Sequence, residues 1–93
     1  MQYKMWGVYS PLLEQWVREM GDKMEAYIDN DEVDLEIEYF SSDDPRVYHY
    51  NFTYLPAFVA VKHDQPWRQI FGKWTWDKYE EWLKGLNWKI DEV

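Results

Sequence analysis

Apolar and polar residues alternate in three distinct periods along this chain, and each period predicts a different element. Residues 2 to 8, QYKMWGV, hold enough aromatic and apolar side chains for a short strand that must end by Ser10-Pro11. Proline suits the first turn of a helix because its missing N–H has no intrahelical partner there, and Ser10 is placed to cap the free amides. Leu13, Trp16, Val17, Met20, Met24, Tyr27 and Ile28 then recur at intervals of three and four, predicting a helix from about Pro11 to Ile28. Gly21 is the expected weak point of that helix, where it would bend.

Asp29-Asn30-Asp31 closes the helix with turn-forming residues, after which Val33, Leu35, Ile37 and Tyr39 alternate with Asp34, Glu36 and Glu38. A period of two marks a half-buried strand. Three carboxylates on one face would be costly beneath a covering helix, so this strand belongs at a sheet edge, where charge also discourages edge-to-edge pairing. Ser41-Ser42-Asp43-Asp44-Pro45 restarts a short helix, with Asp44 as its cap and an end near Asn51.

Ala57 to Val61 is continuously apolar, as a central strand covered on both faces should be. Lys62 to Pro66 supplies a turn, and Trp67 to Phe71 a strand able to pair antiparallel with the previous one. Beyond Gly72, Thr75 can cap a helix whose apolar stripe is Tyr79, Trp82, Leu83 and Leu86. The predicted order is β-α-β-α-β-β-α, an α/β fold with a central mixed four-stranded sheet flanked by helices, in a single domain over residues 1–93.

Composition narrows the chemistry. A domain this small depends on dense packing of large side chains, and seven Trp with eight Tyr meet that need. There is no cysteine, which excludes a disulfide framework, a thiolate nucleophile and a thiolate metal site. His49 and His63 do not stand in a zinc-like spacing, so no metal or other cofactor is expected. The acids at Asp29, Asp31, Asp34 and Glu36 lack the glycine and terminal glutamate of an EF-hand loop.

Between Asp22 and Asp44 ten carboxylates face the single Lys23, which accounts for the whole formal net charge of −8. Such acidity argues against direct contact with nucleic acid and against anionic lipid. No apolar run approaches the ~18 residues of a membrane span, and MQYKMWGVYSP lacks the basic and apolar parts of a signal peptide. The expectation is a cytoplasmic protein. Nothing in the sequence speaks to its oligomeric state.

The run Asp44-Pro45, then Val47, Tyr50, Phe52 and Leu55-Pro56, resembles the thioredoxin family's stretch from its Asn-Pro helix start to its cis-proline, one residue shorter. Gly72 follows Pro56 by sixteen residues, the family's proline-to-glycine interval, and Thr75 to Leu83 resembles the opening of its last helix. The likeness covers residues 33–86 closely and residues 2–28 in pattern. It implies a minimal thioredoxin-like fold with a cis peptide bond before Pro56.

The departure lies at the catalytic turn, where Tyr9-Ser10-Pro11-Leu12 stands in place of Cys-Gly-Pro-Cys. A dithiol exchanger needs an attacking thiolate and a resolving thiol, which a phenol and a leucine cannot replace. The resemblance therefore implies a redox-inactive, noncatalytic interaction module. Its partner would be a protein or extended peptide segment, bound along Trp6, Tyr9, Ser10, Pro11, Thr53, Tyr54, Leu55, Pro56, Lys73 and Trp74. Trp74 is the expected anchor, since it lies off the helix stripe and interface hot spots favour tryptophan.

Two other readings come from different classes. One is an accessory or structural subunit of a larger assembly, of the kind thioredoxin itself forms with a phage DNA polymerase, using the acidic face. The other is a glutathione-binding or transferase-like enzyme with Tyr9 or Ser10 as the activating hydroxyl. Against the latter, Gln69-Ile70-Phe71-Gly72 lacks the acid-serine pair that such enzymes carry there.

Overall fold

The computed structural model describes residues 2–86. Four strands, β1 (Gln2–Tyr9), β2 (Asp34–Ser41), β3 (Ala57–Lys62) and β4 (Gln65–Phe71), form one mixed sheet in the order β2-β1-β3-β4. The β1 and β2 strands run parallel with Gln2 opposite Asp34 and Tyr9 opposite Ser41, while β3 is antiparallel to both β1 and β4. Helices α1 (Glu14–Ile28), α2 (Pro45–His49) and α3 (Trp76–Leu86) flank the sheet, giving an α/β fold. No helix among the described residues is long and apolar enough to cross a membrane.

Position in the sheet explains each strand's pattern. In the interior strand β3, Ala57 to Val61 are all buried, Phe58 and Ala60 toward one core and Ala57, Val59 and Val61 toward the other. At the edge, β2 alternates exposed Asp34, Glu36 and Glu38 with buried Leu35 and Ile37, as its period of two predicts. Between β3 and β4 the chain turns through His63 and Asp64, both at positive φ (54° and 61°), with Lys62 paired to Gln65. Such a two-residue turn follows the right-handed twist of the strands.

The first core lies between the sheet and the two longer helices, where Met5, Leu35, Ile37, Phe58 and Ile70 meet Val17, Met20 and Met24 of α1 and Tyr79, Leu83 and Leu86 of α3. The second core, under α2, gathers Trp6, Val8, Phe40, Phe52 and the inward residues of β3. Asp44 caps α2 by accepting the Arg46 amide at 2.9 Å.

Two local expectations at α1 are corrected. The chain enters it through a 3-10 turn over Pro11–Leu13, in which the Leu13 amide donates to the Ser10 carbonyl and the Ser10 hydroxyl makes no capping bond. The helix also runs through Gly21 without a break. Gly21 is instead a point of close approach: a Cβ there would collide with the Tyr39 hydroxyl, and one at Gly7 would stand 2.7 Å from the same ring. The Tyr39 ring fills the slot between these two glycines, with the Arg18 guanidinium 4.9 Å from its centroid.

Candidate functional site

Strand register brings the loops named in the sequence to one end of the sheet. Val8 pairs with Ala57 and Ala57 with Phe71, so the end of β1, the start of β3 and the end of β4 lie side by side. The segments leaving those strand ends are Tyr9 to Leu12, Thr53 to Pro56 and Gly72 to Trp74. The Leu55-Pro56 bond is cis, and the Pro56 carbonyl accepts the Gly72 amide at 2.8 Å.

The Gly72 turn is fastened from below by a buried tyrosine. Tyr79 donates its hydroxyl to the Gly72 carbonyl at 2.7 Å and accepts the Trp74 amide at 3.2 Å. Its ring packs against Phe58 and Trp16, at centroid distances of 5.4 and 6.1 Å, and is fully buried. Burial raises the Tyr79 phenol above its ordinary value, so the group stays neutral and able to donate. Gly72 adopts a φ of +102°, a conformation that disfavours any side chain. Above it lies the Trp74 indole, which donates Nε1–H to the Phe71 carbonyl at 2.7 Å.

The structure distributes the predicted site residues unevenly. Pro11, Thr53, Tyr54, Lys73 and Trp74 are exposed, Tyr9, Ser10 and Leu55 are half-buried, and Pro56 is buried. Trp6 lies elsewhere. It packs edge-on against Phe40 and beside Tyr50 in the second core, so it offers no surface at the sheet end. Two residues outside the predicted set belong with the site. Leu12 is 98% exposed beside Pro11, and Tyr79 holds the Gly72 turn. Leu12 was legible as an apolar residue off the helix stripe, whereas nothing local in the sequence ties Tyr79 to a turn seven residues earlier.

Cations rim this end. Lys73 Nζ lies 5.3 Å from the Trp16 ring centroid, Lys78 Nζ 5.6 Å from that of Trp74, and the Arg18 guanidinium 5.9 Å from that of Tyr9. Such contacts hold the positive groups near aromatic faces while leaving them wet. The arrangement suits binding: exposed aromatic and aliphatic groups stand beside backbone that leads into the sheet, with cations at the periphery.

The acidic face is a separate surface. Asp34, Glu36 and Glu38 stand exposed along the β2 edge, and the preceding turn uses its own acceptors internally. Asp29 Oδ1 accepts the Leu35 amide, and Asn30 Oδ1 accepts the amides of Glu32 and Val33. Among the described residues no three His, Asp or Glu side chains come together as a metal site. Compared with protein-family models and with curated proteins, the chain matches none.

Proposed function

We propose that this chain is a noncatalytic, thioredoxin-like interaction module that holds an extended segment of another protein at the sheet end. One observation carries the reading. Among the described residues five large apolar side chains are exposed, and three of them, Leu12, Tyr54 and Trp74, stand on the three segments that meet there. Exposed apolar groups gathered in one place mark interaction surfaces, whereas scattered ones do not. The element order, the cis bond before Pro56 and the Pro56-to-Gly72 backbone bond support the thioredoxin-like assignment. With no cysteine in the chain, thiol-disulfide exchange has no nucleophile, and what is left of such a site is its capacity to bind.

The test uses reduced, carboxymethylated α-lactalbumin as a permanently extended probe, titrated into isotopically labelled protein and followed by NMR. Amide shifts should concentrate at Tyr9 to Leu12, Thr53 to Pro56 and Gly72 to Trp74, and Trp74→Ala should weaken binding at least ~10-fold. Shifts confined to Asp34, Glu36 and Glu38, weakening steeply with salt, would favour an accessory subunit that docks through its acidic edge. Turnover of insulin disulfides by the purified protein would overturn the noncatalytic reading.

A further inference from the structure

Charge is distributed around the sheet end in a way that holding an extended chain does not by itself require. Met1 to Leu13, Pro45 to His63 and Gln65 to Trp76 contain no carboxylate, and the segments Tyr9 to Leu12, Thr53 to Pro56 and Gly72 to Trp74 each fall inside one of these stretches. Of the acids that border the stretches, Glu14 accepts the Arg18 Nε at 3.0 Å and Asp44 accepts the Arg46 Nε at 3.0 Å, so each is matched by a guanidinium. Asp64 lies in the turn between β3 and β4, at the far end of the sheet. Asp77, in the first turn of α3, is outnumbered by Lys73 and Lys78 on either side of it in the chain.

Both lysines are exposed, and neither has an ion-pair partner among the described residues. Lys73 leans from the Gly72 turn toward Trp16 of α1, and Lys78 approaches Trp74 from α3. A ring face attracts an ammonium without neutralising it, so both charges stay open to a carboxylate. The acid-rich β2 lies three strand spacings from β4, about 14 Å at the usual spacing of about 4.8 Å. That exceeds the Debye length of about 8 Å at physiological salt, so the acids of β2 are largely screened from whatever approaches the Gly72 turn.

Resting on the sheet-end reading, we infer that the extended segment held there is acidic, with one bulky apolar side chain set against Trp74 and Tyr54 and carboxylates that reach Lys73 and Lys78. In an extended chain, residues two positions apart share a face. The acids therefore belong at the second positions before and after the apolar residue. Trp74 is the anchor of such a site, and the two lysines set its selectivity. A basic segment finds no carboxylate on the three segments to receive it. A second folded copy does not supply the pattern either, because the acids and apolar residues of β2 lie on opposite faces and Leu35 and Ile37 are buried.

The probes are three capped nine-residue peptides of threonine with a central leucine, carrying aspartate, asparagine or lysine at the second positions before and after it. Titrated at about 50 mM salt, where screening is weak, and followed by NMR, the aspartate peptide should shift the amides of Tyr9 to Leu12, Thr53 to Leu55 and Gly72 to Trp74. It should bind about fivefold more tightly than the asparagine peptide, as two exposed charge pairs allow, and the lysine peptide should bind most weakly. Lys73→Glu should reverse the order of the aspartate and lysine peptides, whereas a lysine with a merely structural role would leave that order unchanged. Equal binding of the aspartate and asparagine peptides at these amides would overturn the inference and leave the sheet-end reading standing. Shifts there from carboxymethylated α-lactalbumin but from none of the three peptides would likewise overturn it alone, and no shifts from any probe would overturn both. An oligothymidylate that shifts the same amides as strongly as the aspartate peptide would also overturn it, since the lysines would then be selecting phosphate.

Discussion

On one face of the sheet α1 and α3 bring Val17, Met20, Met24, Tyr79, Leu83 and Leu86 down onto Met5, Leu35, Ile37 and Phe58. On the other, the five residues of α2 and the segment after it bring little beyond Val47, Tyr50 and Phe52, and an arginine covers the gap. The Arg46 guanidinium lies 3.7 Å from the Phe40 ring centroid and 5.0 Å from that of Trp6. Its Nε and Nη2 reach the two carboxylate oxygens of Asp44 at 3.0 Å each, and Nη2 also reaches Glu38 at 2.8 Å. A planar, weakly hydrated cation can serve as a lid where a short helix has too little hydrocarbon. The difference teaches that the same sheet is held on one side by buried volume and on the other by a hydrogen-bonded charge cluster, and the two should fail under different stresses.

The sharpest way to break this comparison is to remove volume from each face. Met24→Ala, at a fully buried position, should cost about 3 kcal/mol in urea denaturation, whereas Val47→Ala, at a half-buried one, should cost about 1 kcal/mol. Equal losses would mean that α2 carries more of the packing than its length suggests.

A smaller effect should come from the lid. Arg46→Met, which keeps an apolar stem but loses the charged bonds, should cost about 1 to 2 kcal/mol at neutral pH. Arg46 holds the Asp44 carboxyl below the ordinary carboxylate range, chiefly through its side-chain hydrogen bonds. Because the folded-state value lies below the unfolded one, this contribution is whole above about pH 4 and disappears as pH falls through the folded value. The stability gap between wild type and Arg46→Met should therefore narrow in acid, while the gap to Met24→Ala should not follow that titration.

The smallest effect should come from Tyr39, whose hydroxyl, buried beside Gly21, has no hydrogen-bond partner among the described residues. Removing an unsatisfied buried hydroxyl should help, so Tyr39→Phe is expected to raise stability by about 1 kcal/mol. Burial, followed by the nearby Glu25 charge, pushes this phenol up to about 12. An unfolded tyrosine ionises near about pH 10, so the neutral form is favoured in the folded state and stability is lost as pH rises from there toward about 12. In Tyr39→Phe that part of the alkaline loss should be missing from denaturation curves taken across the same range.

Much of the architecture was legible because local patterns carried it. The acid-apolar alternation of β2 gave both its conformation and its edge position, and the unbroken apolar run from Ala57 to Val61 gave an interior strand. What escaped depends on contacts between distant segments. Gly21 reads locally as a helix weakness, but its neighbour is Tyr39 on β2, and the need for a small residue is set there. Trp6 reads as part of the site because it sits near Tyr9 in sequence. Strand alternation turns it to the opposite face, into the core under Arg46. Ser10 has the right chemistry for a cap, but a 3-10 turn over Pro11–Leu13 uses its carbonyl instead.

The Tyr79 hydroxyl joins a surface loop to the hydrophobic interior, and this makes the loops at the sheet end unequal. To open the Gly72–Trp74 segment would mean tearing it from a ring wedged against Phe58 and Trp16. Among the described residues the exposed side chains of Tyr54 and Leu12 have no comparable anchor. In the binding role proposed for it, the sheet end would be a vise with one fixed jaw and two adjustable ones, and adaptation to differently shaped guests would fall to Tyr54 and Leu12.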